Sequence, residues 1–293
     1  MTTTVATPVT APLRASSGAR RVKGRRNYLG GFFAWVWLAI IIIPVYYVVI
    51  TSFKDQGAYF TQNPLAPPNP PTLAAYLDVV EAGIGRYFLN SVIVTVGAVI
   101  PLVLVSFLAS YAIVRGDSRV LRFSRTLFLL GLAIPSQAAI VPLYLLITRI
   151  QMYDSLGALI LPSIAFGIPL TVLILSNFIR DVPRELFESM RLDGCTDWQM
   201  AWKLAFPLTR PAIVTVGIYN GLHVWNAFLF ALILTQSPEK RVMPLALWAF
   251  QGEYQVNIPA ILAAVVLSTL PILILYIVGR RQLLRGLTAG FGK

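Results

Sequence analysis

The chain has 293 residues, 57% of them hydrophobic and only 12% charged, with a mean hydropathy of +0.72. Soluble domains carry about twice that share of charge, so a soluble globular protein is excluded. The formal charge of +12 is read as membrane topology, with no nucleic acid as partner. The single cysteine, Cys195, makes no internal disulfide and has no Cys or His neighbours for a zinc site. No metal or other cofactor is expected.

Residues 1–27 read as a basic cytoplasmic tail. The first part is rich in Thr, Ala and Pro and is expected to be disordered, and Arg14, Arg20, Arg21, Lys23, Arg25 and Arg26 follow. The apolar stretch from Tyr28 to Phe53 is longer than a signal-peptide core and is followed by no A-x-A-like site. It is taken as an anchored first span that tolerates Pro44. Gln56 to Gly85, with its NPLAPPNPPT run, reads as an irregular outer loop. Five further apolar segments lie near Phe88–Val114, Phe123–Ile147, Leu156–Phe178, Ala212–Thr235 and Ile258–Val278. Each is long enough to cross about 30 Å of hydrocarbon at about 1.5 Å per residue. Pro135, Pro142, Pro162 and Pro169 are expected to break the third and fourth spans.

The expected fold is an all-α integral membrane protein. Six transmembrane helices fill 28–279, a cytoplasmic loop at 181–211 joins the fourth to the fifth, and 280–293 forms a cytoplasmic tail. Lys54, Arg86, Arg149, Lys240 and Arg241 fall on one face, and the remaining 19 of the 24 Lys and Arg fall on the other. Both termini and the central loop are therefore assigned to the cytoplasm. All 12 acidic residues lie in loops or at span ends, which argues against an ion-coupled carrier with a mid-membrane relay. His223 is the one histidine of the chain, too little general-base capacity for an acid–base enzyme. Energy for transport must come from outside the membrane domain.

The central loop carries ordered structure. Asp181 is a plausible N-cap with Pro183 in the first turn, ahead of a helix over Arg184–Leu192. Gly194 ends it. Thr196 and Gln199 have capping-box spacing for a second helix that bears Trp198 and Trp202, and Pro207 closes that helix. In the fifth span, Tyr219, His223 and Asn226 follow i, i+4, i+7 spacing and share a face. With Asn220, Trp225 and Gln137 they are candidates to line a pathway for a neutral polar solute. Hydrogen bonding between helices accounts for them equally well. Asn90 and Ser176 are further polar outliers.

E-S-M-R-L-D-G, nine residues and then L-A-F-P resemble the E-A-A-x-x-x-G-x(9)-I-x-L-P signature of permease subunits in binding-protein-dependent ABC importers. Glu188, Gly194 and Pro207 fall on its Glu, Gly and Pro. Ser189 and Met190 replace the alanines, and Leu204 and Phe206 replace the Ile and Leu. R-L-D-G, I-P-L-T, V-P-L-Y, W-N-A-F and G-L-T-A-G extend the resemblance to the carbohydrate-uptake class, the maltose-permease G-type, from about Phe32 onward. Family members usually have an acidic residue where Ala227 stands.

The resemblance implies a coupling helix in the loop, seated on a cytoplasmic ATPase. Glu188, Ser189, Met190, Asp193, Gly194, Leu204 and Pro207 would be the coupling residues, with Leu186 and Leu192 adding contact area. It also implies a second permease subunit, an ABC ATPase dimer, an extracytoplasmic solute-binding protein and a sugar as cargo. No G-x-x-x-x-G-K-[ST] occurs in the chain, so no catalysis is expected here and ATP hydrolysis is assigned to the separate subunit. The alternatives are a polyol-type or other neutral solute, a self-sufficient channel or secondary transporter, and, for the loop alone, an amphipathic segment lying on membrane lipid.

Overall fold

A computed structural model describes residues 28–250 and 256–289, and its regular elements are helices. In chain order they are α1 (Tyr28–Thr51), α2 (Gln56–Thr61), α3 (Ala74–Glu81), α4 (Ile84–Arg115), α5 (Arg119–Gly131), α6 (Ile140–Arg149), α7 (Gly157–Arg180), α8 (Arg184–Leu192), α9 (Asp197–Met200), α10 (Phe206–Trp225), α11 (Phe228–Leu234) and α12 (Ile258–Ala289). A π turn spans Ala201–Ala205, and 3₁₀ turns span Pro238–Lys240 and Met243–Phe250.

The chain divides into two compact units, one ending at Pro44 and one beginning at Val45. The described part of the first is the apolar start of α1, with Phe32, Trp35, Trp37 and Ile43 all exposed. Such a surface suits lipid.

Four helices, α1, α4, α7 and α12, are long and apolar enough to cross a membrane. The helix from Asp197 through Trp225 and α11, bent by 48° at their junction, pass the same test only as a pair, the pattern of a broken span or a re-entrant loop. The expected third span is not one helix. It is α5 and α6, separated by turns over 132–139. Pro135 stands in that break, where a proline removes one helical hydrogen bond and clashes with the preceding turn. Pro162 and Pro169, also expected to break a span, lie inside the continuous α7.

The interior is assembled from small residues. α4 and α7 run side by side in the same direction, and the Ser110 hydroxyl donates to the Val172 carbonyl at 3.1 Å. A Cβ on Gly97 would stand 3.0 Å from Ile160. α10 returns along both, with Phe206 edge-on to Phe107 at 5.3 Å. Asn220 Nδ2 donates to Thr171 Oγ1 at 3.0 Å and to the Val216 carbonyl at 2.8 Å. In hydrocarbon such close backbone approach, and hydrogen bonds between neutral side chains, take over much of the role that hydrophobic burial plays in water.

One face carries α8 and is called here the loop face. On the opposite face the segment expected to be irregular holds two short helices. The Asp55 carboxylate caps α2 by accepting from the Ala58 amide at 2.6 Å. Ala75 and Val79, four apart on α3, bury against Ala260, Ala263 and Ala264 of α12. The prolines cluster between these helices and do not touch that spacing. Asn90 Nδ2 donates to the Glu239 and Arg241 carbonyls, both at 2.8 Å, and so fixes the 3₁₀ segment to α4.

Asp154 makes a similar tie. It accepts from the Gln236 and Ser237 amides at 2.8 and 3.0 Å and from the Ser237 hydroxyl. Burial alone would raise its carboxyl pKa, but these donors and the Lys240 charge hold it below the usual range. A lowered carboxylate contributes stability above its unfolded pKa, near ~4, and loses it as pH falls through the lower folded value.

Two outcomes are expected. Asp154→Asn weakens the tie by about 1–3 kcal/mol, seen as faster amide exchange at Gln236 and Ser237, and acid reproduces the effect in the unmodified chain. Gly167→Ala drives a methyl against Leu102 and to 2.9 Å from Asn220 Oδ1, an amide already held on two sides. A loss of about 1–3 kcal/mol lowers the thermal midpoint in detergent.

Candidate functional site

α8 begins after Pro183, which occupies the cap position without a side-chain hydrogen bond. Asp181 is not the cap. It closes α7 instead, donating its amide to the Asn177 carbonyl at 3.2 Å. Glu185 in the first turn and Arg191 in the last match the helix dipole.

The buried side of α8 rests on one residue to which sequence reasoning gave no anchoring role. Phe187 is 2% exposed and packs with Tyr111, Ile179, Val182, Met200 and Ala201. The Arg115 guanidinium lies 3.9 Å over its ring. The available signal was the one aromatic in a short helix that carries four charges.

The other side is open. Leu186, Glu188, Ser189, Asp193 and Gly194 are exposed, and Leu192 is 89% exposed. Met190 departs from the expected contact face, because it packs partly inward against the Phe187 cluster. Leu204 and Cys195 do the same. Glu188 pairs with neither Arg184, four residues before it, nor Arg191, three residues after; Arg191 pairs with Asp197 at 2.7 Å. Both members are mostly exposed, so the pair is worth at most about 1 kcal/mol.

Gly194 has φ +78°. Its amide donates to the Arg191 carbonyl at 3.1 Å, and the Cys195 amide donates to the Met190 carbonyl at 2.9 Å. These two bonds form a Schellman turn, which wants glycine at this position. Open space surrounds the glycine. The capping box is present as expected: Thr196 Oγ1 accepts from the Gln199 amide at 3.3 Å, and Gln199 Oε1 accepts from the Thr196 amide at 2.9 Å.

Pro207 does not close the second helix. A π turn at Ala201–Ala205, with the Phe206 amide donating to the Ala201 carbonyl, joins α9 to α10. The wider turn accommodates a proline that has no N–H to give the preceding turn. Pro207 is therefore an exposed residue in the first turn of α10. Trp198 and Trp202 do share a side, edge to face with ring centroids 5.6 Å apart, and Trp202 packs onward to Phe206, tilted, at 5.1 Å.

Toward the opposite end of α10 the polar cluster divides. Tyr219, His223 and Asn226 are exposed on one face, and the Tyr219 and His223 rings stack with planes 5° apart. Asn220, 3% exposed, and Trp225, edge-on to Phe88 at 5.7 Å, belong to the packed side. Ala227 forms an inverse γ-turn (φ −71°, ψ 73°), with the Phe228 amide donating to the Asn226 carbonyl at 2.7 Å. That turn produces the bend into α11. Thr95 Oγ1 and Trp225 Nε1 have no hydrogen-bond partner among the described residues. They stand beside a cavity of about 10 Å³ that Ala227 also lines, room for about one water. Gln137 is exposed in the break between α5 and α6.

A capped helix anchored across the ends of membrane spans, followed by a positive-φ glycine and a helix that runs on through the membrane, agrees with a sequence comparison. Residues 103–287 match the family of binding-protein-dependent transport system inner membrane components. The chain belongs to this family. It is similar to the diacetylchitobiose uptake system permease protein NgcG of Streptomyces coelicolor, at 32% identity over 87% of this chain and 85% of that one. It is also similar to the arabinooligosaccharides transport system permease protein AraQ of Halalkalibacterium halodurans, at 29% identity over 86% and 91%. Among solved structures it is similar to a chain of a bacterial ABC transporter involved in the import of the acidic polysaccharide alginate. The TM-score is 0.75 at 20% identity, over 88% of this chain and 97% of that one; the likeness shows a common fold.

In this ABC importer permease, attachment of α8 is expected to fail without Phe187. Phe187→Ala costs about 3–5 kcal/mol locally. Limited proteolysis between Arg180 and Thr196 should then become fast while the spans stay intact.

Proposed function

We propose that this permease conducts sugars, as half of a pathway completed by a second permease subunit. A dimer of ATPase subunits drives it, and a solute-binding protein outside the membrane feeds it. The observation that carries the reading is the exposed strip of Tyr219, His223 and Asn226 on a membrane-crossing helix. Polar side chains facing lipid are costly, so such a strip belongs against a partner or a water-filled path. An aromatic ring beside neutral hydrogen-bonding groups suits a sugar, which has an apolar face and hydroxyl edges. The names of the diacetylchitobiose and arabinooligosaccharide permeases support the same class of cargo. Gln137 is assigned to the same path because the exposed backbone of the α5–α6 break needs water or protein around it.

The loop face is taken as cytoplasmic, with both termini on that side, on the strength of the Lys and Arg distribution. Glu188, Ser189, Asp193, Gly194 and Leu192 then form the surface that meets the ATPase. Met190, Leu204 and Pro207 support it from behind. Force on α8 passes through Phe187 to α4 and α7, and through the π turn to α10. Tyr219 lies thirteen residues beyond Phe206, about 20 Å along α10. Rocking that helix would change access to the strip.

Purification from the native membrane in mild detergent tests the assembly. A co-purifying ATPase and second permease are expected, and a chain that repeatedly purifies alone would sink the reading. Glu188→Arg and Gly194→Trp should each abolish sugar uptake and release the ATPase while leaving this chain in the membrane. Normal uptake by both would remove the coupling assignment.

A further inference from the structure

We infer that the loop face holds a binding site for one anionic phospholipid, in the groove between the end of α4, the start of α5 and the α8–α9 turn. The groove encloses about 430 Å³. Its rim carries Arg115 and Arg191 against one carboxylate, Asp197, leaving a net positive charge. Arg191 commits one nitrogen to Asp197 at 2.7 Å, and Arg115 lays the face of its guanidinium on Phe187. The remaining N–H groups of both are available to a phosphate, which arginine holds in bidentate fashion.

The wall below is apolar, formed by Leu108, Ala112 and Leu121. Leu108 is seven residues inside Arg115, about 10 Å along α4. A phosphate at the rim with an acyl chain running inward uses both parts of the groove. A free phosphate would leave the apolar wall bare, and an acidic side chain from a protein partner would fill only the rim.

A second, independent observation points to a ligand. Tyr111 stands on the groove wall and is 8% exposed, yet its hydroxyl has no hydrogen-bond partner among the described residues. A buried phenol is ordinarily paired. The hydroxyl is closed to solvent here, and a small turn of the ring toward the groove brings it to a phosphate oxygen held between the two arginines. Trp198 is exposed at the rim, the residue type that favours the boundary between headgroups and hydrocarbon. The loop face, taken as cytoplasmic, meets the leaflet whose lipids are anionic. The inference rests on that orientation and is independent of the cargo.

Fluorescence quenching tests it. The full chain, as it purifies from its membrane, is placed in phosphatidylcholine nanodiscs. These contain an equal fraction of either dibrominated phosphatidylglycerol or dibrominated phosphatidylcholine. The signal is the part of the tryptophan emission that Trp198→Phe removes. Brominated phosphatidylglycerol should quench this part several-fold more strongly. Tyr111→Phe, which keeps the ring, and Arg191→Gln should each reduce the preference by about tenfold with unchanged melting. Millimolar inorganic phosphate should leave the quenching intact. Arg115→Gln is the poorer variant, because it also removes the support over Phe187.

Equal quenching by the two lipids, or a preference that both variants retain, overturns the lipid site. Relief by inorganic phosphate also overturns it and identifies a free-anion site. Protection of Trp198 from both lipids whenever an ATPase co-purifies overturns it in favour of a protein occupant.

Discussion

The loop face depends on the burial of Phe187 beneath the Arg115 guanidinium. α8 has nine residues, most of them polar, and a helix that short is not stable by itself in water. It persists because one large ring reaches the seam where α4, α7 and the α9–α10 helix meet. Phe187 thereby sets the rotation of α8. With Phe187 turned inward, Glu188, Ser189 and Leu192 must point outward. The Schellman turn at Gly194 and the capping box at Thr196 then hand the chain to α9 without a slack joint. The groove beside Arg115 is a by-product of the same arrangement, since the guanidinium that covers Phe187 also forms the groove rim.

Within the membrane the governing constraint is that polar groups must be satisfied by the protein. The chain meets it with neutral side chains. Ser110 bonds across to α7, Asn220 ties α10 to Thr171, and Asn90 holds two carbonyls of the opposite face. Glycines at positions 97 and 167 make the approaches short enough for this. What remains unsatisfied or exposed is informative for the same reason. The Tyr219–His223–Asn226 strip and the α5–α6 break are polar surfaces left open among the described residues, and the proposed pathway is placed on them for that reason.

The local structure of the loop was largely legible. The extent of α8, the φ of Gly194, the Thr196–Gln199 box and the Trp198–Trp202 contact all follow from interactions between near neighbours in sequence. The errors came where a residue answers to two elements. Asp181 has capping chemistry, but α7 reached it first. Pro207 is a helix stop by rule, yet a π turn absorbs it and α10 continues. Helical spacing brought Tyr219, His223 and Asn226 to one face, but it could not say that Asn220 and Trp225 face the interior, because that depends on where α7 and α4 lie.

By itself, the sequence determined that this is a helical membrane protein, where most of its spans run, and which segment carries the ordered turn between two of them. Those properties depend on hydropathy, charge and caps, all of which act over a few residues. Only the tertiary structure decided that Phe187 is the anchor, that Met190 turns inward and that Arg115 and Arg191 frame a groove. Each of these depends on contacts between residues tens of positions apart, which no local pattern records.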